Sequence, residues 1–138
     1  MSKVLGIDYG TVRIGLALTD SARIIASPLE TIPNQGAFAY LKQLITKEKI
    51  LDVVVGEAKR LNGEPSEITV LQQQFVDKLL AQNPGINMYR TNEMYTSKMA
   101  AQSMITSGLK QSVRRDKGTL DKISAAILLQ SWLDYRKS

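Results

Sequence analysis

The sequence predicts a mixed α/β fold: three antiparallel strands feed a parallel βαβαβ portion, giving a five-stranded mixed sheet flanked by helices. Three observations carry this expectation. The first 31 residues hold three short apolar runs separated by tight turn signals, the pattern of an antiparallel meander. Leu51-Asp52-Val53-Val54-Val55-Gly56 is a β-branched run that reads as buried on both faces, like a central parallel strand. The segments on either side of that run carry apolar residues at helical spacing and are long enough to serve as crossovers.

In chain order, Val4 to Ile7, Ile14 to Thr19 and Ile24 to Thr31 read as the three strands, joined by the Asp8–Gly10 tip and the Asp20–Ser21 turn. Pro28 within the third strand puts that strand at a sheet edge, where a missing N–H is tolerated. After the Pro33–Gly36 break, Phe38, Leu41, Leu44 and Ile45 predict a helix over Ala37 to Glu48. The β-branched strand follows, then a polar stretch from Glu57 to Glu67 that contains the loop Asn62–Ser66. A second helix starts near Ser66, an apt N-cap, and puts Ile68, Leu71, Phe75 and Leu79 on one face before stopping at Asn83-Pro84-Gly85. Ile86 to Arg90 is the last strand. A third helix is expected over Thr96 to Ser107, with Gly108 as its stop, and a final one from Thr119 to Tyr135 with Ile123, Ile127 and Leu128 facing the core. A chain of 138 residues, 43% apolar, without internal repeats, fits one domain over 1–138.

Composition narrows the chemistry. Lys and Arg number 18 against 13 acidic residues, a net charge of +5, so the expected partner is a polyanion, nucleic acid first among them. With no cysteine, disulfides, thiolate catalysis and Cys-zinc sites are excluded. With no histidine, the commonest general base and metal ligand is missing too. Carboxylates, hydroxyls, Lys, Arg or a bound ion must therefore carry any reaction. No apolar stretch reaches membrane-spanning length and Met1-Ser2-Lys3 leads straight into a strand, so a soluble cytoplasmic chain with no membrane contact is expected.

Four acids fall at one end of the predicted sheet. Asp8, Glu57 and Glu93 each lie just past the C-terminal end of a strand, and Asp121 is expected in the first turn of the last helix, facing the same cleft. Such a set suits Mg²⁺ or Mn²⁺, hard ions that take oxygen ligands and keep water. Two such ions would stabilise the entering and leaving oxygens of a phosphodiester cleavage. Each acid also has a bland reading. Asp8 reads equally as a turn residue, Asp121 as a complement to the helix dipole, Glu57 as a solvated neighbour of Lys59, Arg60, Glu64 and Glu67, and Glu93 as a helix cap. Singly these readings are the simpler ones; all of them at one sheet end are not. The basic segment Lys110, Arg114, Arg115 and Lys117, opposed only by Asp116, is either a solvated face or a contact for a nucleic-acid backbone, and Arg13 is a further candidate for that contact. Tyr9 and Tyr95 flank two of the acids, as base-stacking or packing groups.

Taken in order, Asp8-Tyr9-Gly10-Thr11-Val12-Arg13-Ile14-Gly15-Leu16-Ala17, Val54-Val55-Gly56 with Asn62-Gly63, Asn92-Glu93-Met94-Tyr95-Thr96-Ser97 and Asp121 to Leu133 resemble the blocks of the YqgF (RuvX) family over essentially the whole chain. The resemblance implies a ribonuclease H-like fold and an Mg²⁺-dependent nuclease, described in the family either as a Holliday junction resolvase or as an enzyme processing the 5′ end of precursor 16S ribosomal RNA. It places the acidic triad on Asp8, Glu93 and Asp121. Two blocks depart from the pattern. The family's Asp-Glu-Arg reads Asn92-Glu93-Met94, and its Leu-Pro after the glycine reads Glu57-Ala58, which resembles RuvC-type resolvases and makes Glu57 an additional or substitute ligand. The expectation is a metal-dependent endonuclease on structured nucleic acid, monomer or homodimer, with precursor ribosomal RNA favoured over branched DNA by resemblance. Its rivals are an inactive nucleic-acid-binding module and a sugar-kinase or actin-like ATPase, the latter needing two such domains where this chain has room for one.

Overall fold

The computed structural model describes residues 2–57, 67–92 and 117–137; the expected helix over Thr96 to Ser107 lies outside them. The described elements are β1 (Val4–Asp8), β2 (Arg13–Thr19), β3 (Ala26–Pro33), α1 (Ala37–Glu48), β4 (Asp52–Glu57), α2 (Glu67–Gln82), β5 (Asn87–Asn92) and α3 (Lys117–Lys137). The strands form one sheet in the order β3-β2-β1-β4-β5. β1 and β2 are antiparallel, β1 and β4 parallel, and β4 and β5 parallel, as the sequence predicts. β3 is indeed an edge strand. Leu16 pairs with Glu30 and the next residue, Ala17, with Pro28, so Leu29 is the extra residue of a bulge beside the proline. No helix of the described residues is long and apolar enough to cross a membrane.

Alternation along the strands divides the core into two layers. Leu5, Ile7, Ile14, Leu16, Val53 and Val55 point to one face and are covered by Leu41 and Ile45 of α1 and Phe75, Val76 and Leu79 of α2. Val4, Ala17 and Val54 point to the other and meet Ala125, Leu128, Leu129, Trp132 and Leu133 of α3. The second layer is thin because its floor is made of small residues. A Cβ on Gly6 would sit 2.8 Å from the Leu129 Cβ, and one on Gly15 would sit 2.1 Å from the main-chain oxygen of Asp121. The helix backbone thus lies directly on the strands.

That closeness corrects the expected face of the last helix. Ile123 and Ile127 are only half-buried, while Ser124 and Ala125 face inward, because a large side chain does not fit between backbones in contact. On α2 the buried stripe is Gln72, Phe75, Val76 and Leu79. Ile68 and Leu71, expected in the core, are 45% and 42% exposed. The buried place goes instead to Gln72, whose amide finds partners at both ends: its Nε2 donates to the carbonyl of Gly56 in β4, and its Oε1 accepts from Arg90 of β5 at 2.7 Å.

The third strand begins two residues later than its β-branched sequence predicts. The Asp20 carboxylate accepts the N–H groups of Ile24 and Ile25 at 2.8 and 2.9 Å, holding both in the turn. Arg23 takes a left-handed conformation there, at φ 60°. These two hydrogen bonds, Ile25 first, favour the charged carboxylate and hold the Asp20 pKa below its usual 3.8. A depressed folded-state value means that Asp20 contributes stability above that pH and loses it as the pH falls further. Carboxyl NMR is expected to show Asp20 titrating below the other exposed aspartates, and Asp20→Ala is expected to flatten the acid limb of a urea-stability profile. On the sheet, Gly15→Ala is expected to lower stability by about 3 kcal/mol in urea melts, at the upper end for overpacking because the atom struck is backbone. Gly85→Ala, with nothing within 4 Å of the new Cβ, is expected to stay within about 0.5 kcal/mol of wild type.

Candidate active site

Parallel pairing brings three strand ends to one edge. Ile7 pairs with Val55, so β1 closes on Asp8 beside the last residues of β4, and Glu57 pairs with Asn92 at the close of β5. Glu93 is the next residue of the chain and lies outside the described residues, as do Lys110, Arg114 and Arg115. The backbone of Glu57 ends β4, one of the three converging ends. Such an edge is where open α/β sheets bind ligands, because the chain leaves the sheet there and side chains need not pair.

Asp8 and Asp121 come from chain segments more than a hundred residues apart and meet through Gly15. Asp8 pairs with Gly15 across the β1–β2 ladder. The Asp121 main chain rests on that same glycine. By alternation Asp8 projects on the face that carries α3. Arg13, two residues before Gly15 and on the same face, donates its Nε–H to Asp121 Oδ2 at 2.7 Å. The two side chains are 38% and 23% exposed, so the pair is partly screened. Arg13, expected to hold a phosphate backbone, is therefore seen on one of the acids.

The helix dipole does not account for Asp121. α3 begins at Lys117, two residues before the expected start, which puts Asp121 in its second turn and leaves the first turn without an acid. Dipole stabilisation fades within the first turn. Lys117, expected in a basic loop, is instead the first residue of that helix. Ser124, one turn beyond Asp121, is buried with a hydroxyl that has no partner among the described residues.

The turn that carries Asp8 is held rigidly. Asn34 donates its backbone N–H to Val12 O at 2.9 Å and its side-chain Nδ2 to Gly10 O at 2.8 Å. A Cβ on Gly10 would lie 2.3 Å from Arg13 O, so only glycine permits this tip. Tyr9 packs its ring on Phe75 at 4.9 Å, and Phe38 meets the other side of that pair at 5.2 Å from Phe75. Its ring is thus engaged with the core layer, and of the two readings of Tyr9 packing is the one realised.

Two supports escaped the sequence reading. Gln72 ties the end of β4 to Arg90, which also reaches Gln73 Oε1 at 3.0 Å, so α2 is fastened to β4 and to the edge strand β5. Asn34 clamps the tip. Neither residue carries a periodic or motif signal; each is found only once the elements are packed.

The two described carboxylates offer oxygen donors, the kind that a hard divalent cation takes while keeping water in its remaining positions. Among the described residues no three such side chains converge, and Glu93 is the next residue of the chain after β5. The N-terminal ends of the strands are different in kind. There Lys3 pairs with Glu48 at 3.0 Å and Arg23 with Asp52 at 2.8 Å, which neutralises the charges two by two.

Comparisons with known proteins give the family and the fold. A protein of Flavobacterium psychrophilum named "Putative pre-16S rRNA nuclease" is 47% identical over 96% of this chain and 97% of its own length. One of the same name from Christiangramia forsetii is 44% identical over 96% of this chain and 98% of its own. Among solved structures, Thermus thermophilus RuvC in complex with a Holliday junction substrate superposes with a TM-score of 0.59 at 17% identity, covering 100% of this chain and 97% of RuvC. The yeast mitochondrial Holliday junction resolvase does so with a TM-score of 0.57 at 12% identity, covering 99% and 79%. At these identities the structures establish the fold, which is ribonuclease H-like. The family model described as "RuvX: Holliday junction resolvase" matches residues 2–135, and the chain belongs to that RuvX family.

Proposed function

We propose that this chain is a cytoplasmic, metal-dependent endonuclease, a single domain that processes the 5′ end of precursor 16S ribosomal RNA, with Asp8, Glu93 and Asp121 holding Mg²⁺ or Mn²⁺. The observation that carries the reading is the seating of the Asp121 backbone on Gly15, the pairing partner of Asp8. That contact is costly to build, requires a glycine, and has the effect of bringing two carboxylates to one sheet end. The names of the relatives that match over nearly the full chain support the choice of substrate.

When bound, a divalent ion polarises the phosphoryl oxygen and promotes ionisation of water. The chain's own residues supply the rest. The Asn34 clamp and the Gly10 tip fix where Asp8 emerges, and the Gln72–Arg90 link fixes the ends of β4 and β5 that lead to Glu57 and Glu93. Glu57, whose backbone closes β4 in register with Asn92, is kept as the candidate for a further acid. Lys110, Arg114, Arg115 and Lys117 are assigned to the phosphate backbone, which they hold without reading sequence. Without histidine no side chain of ordinary pKa near 7 is present to move a proton, which leaves carboxylates and water for that task.

The family description keeps a four-way DNA junction as the competing substrate. Labelled precursor 16S RNA and a four-way junction, incubated with Mg²⁺, Mn²⁺ or EDTA, separate the two. Cleavage of the RNA that stops in EDTA is expected, with a loss on the order of 10²-fold or more in Asp8→Asn and Asp121→Asn. Preferential cutting of the junction would transfer the activity to DNA, and binding of both without cutting under any metal would leave only a binding module. Binding is also expected to weaken with salt, and Arg114→Ala with Arg115→Ala is expected to reduce the slope of log K against log salt by about 2. An unchanged slope would remove these arginines from the interface.

A further inference from the structure

Arg13 occupies the place on Asp121 that a cation would need. Its Nε–H bonds Oδ2 at 2.7 Å, the distance of a charge-assisted hydrogen bond. We propose that Arg13 is an exchangeable counter-ion: it neutralises Asp121 while the site holds no divalent ion, and moves to a phosphate of the bound nucleic acid when the ion takes over Oδ2. The proposal rests on the reading of Asp121 as a metal ligand given above.

Four observations favour exchange over a fixed anchor. First, α3 does not need the ion pair to dock. Its backbone already lies on Gly15 and Gly6, and Leu128, Leu129, Trp132 and Leu133 are buried against the sheet. Second, the bond is a single one through Nε; among the described residues no terminal nitrogen of Arg13 is bonded to a carboxylate, so the two-point fork that makes arginine pairs tenacious is not formed. Third, 38% of the Arg13 side chain is exposed, enough for the guanidinium to turn outward. Fourth, the backbone beneath it is immobilised: Arg13 pairs with Pro33, and its carbonyl touches Gly10. The side chain alone has to move. A guanidinium and a divalent ion on one carboxylate oxygen repel each other, so occupancy by one weakens the other. A planar guanidinium released at that spot is suited to a phosphodiester.

The consequence is a site that resists empty-state repulsion and couples metal loading to substrate grip. Reciprocity requires that removing Arg13 tighten the metal, because the ion no longer has to displace it. Mn²⁺ titrations by calorimetry of the wild type, Arg13→Gln and Asp8→Asn read this directly, without reference to turnover. Arg13→Gln is expected to bind Mn²⁺ roughly threefold more tightly, the scale of a partly screened ion pair. Equal or weaker binding in Arg13→Gln, with binding lost in Asp8→Asn, overturns the exchange and leaves the metal site standing. Wild type that binds no Mn²⁺, or Asp8→Asn that binds it equally well, removes the site and the exchange together. Should Arg13→Gln fold poorly, the wild-type chain still answers by NMR. The Arg13 Nε–H signal is expected to be protected from exchange in EDTA and to lose protection on saturation with Mg²⁺; a signal that stays protected overturns the proposal.

Discussion

The main chain of α3 lies on Gly15 so closely that no side chain fits between them, and the geometry of the acidic end follows from that one contact. Helices that cover sheets normally stand off by the thickness of their side chains. Here the second core layer is shaved down to glycines, alanines and a serine where α3 begins, and thickens to Leu128, Leu129 and Trp132 further along. The helix is therefore lowest beside the C-terminal end of β1. Asp121, half-buried, is brought down beside the strand end rather than held above it.

Among the described residues the opposite face carries the larger apolar cluster, with fifteen buried side chains under α1 and α2 against nine under α3. The division is reinforced by a polar device. Gln72 is fully buried, which is costly unless both halves of its amide are bonded. It donates to Gly56 and accepts from Arg90, so the end of β4 is tied to the edge strand β5 near the end of their pairing. The Asn34 clamp does the same for the tip beyond β1. Carboxylates at the edge of a sheet repel each other, and rigid supports keep the backbone from relaxing away from that repulsion.

Much of this was legible in the sequence, because strands and their order leave local signals. Pro28 marked the edge strand, and the valines of β4 marked the doubly covered centre. What was hidden depends on the spacing between elements. Ile123 and Ile127 carry a helical apolar signal, yet α3 turns Ser124 and Ala125 inward because of a glycine more than a hundred residues earlier. Ile68 and Leu71 lose their expected burial to Gln72, a residue that hydrophobic periodicity assigns to solvent. Ile24 and Ile25 have every β-forming feature but are captured by the Asp20 carboxylate, a local hydrogen bond that outweighs their propensity. The start of α3 at Lys117, against the helix-breaking tendency of Gly118, moved Asp121 out of the first turn and so removed the simplest structural reason for it.

A site made of carboxylates that must accept a polyanion has an electrostatic conflict, and its resolution bears on how the chain is charged. Net charge of +5 draws nucleic acid toward the molecule, but a long-range field does not relieve repulsion between an acid and a phosphate a few ångströms apart. That relief has to be local, and it has to be strongest when metal is present and tolerable when it is not. A histidine could titrate to meet both states, and this chain has none. A guanidinium stays charged throughout, so it can serve only by changing partners. Arg13, anchored at the backbone, bonded to Asp121 by one nitrogen and with its side chain 38% exposed, has the properties that this role demands. The same reasoning explains why lysine would be a poorer occupant: its compact, strongly hydrated ammonium lacks the planar spread needed to let go of a carboxylate and meet a phosphate from a fixed backbone position.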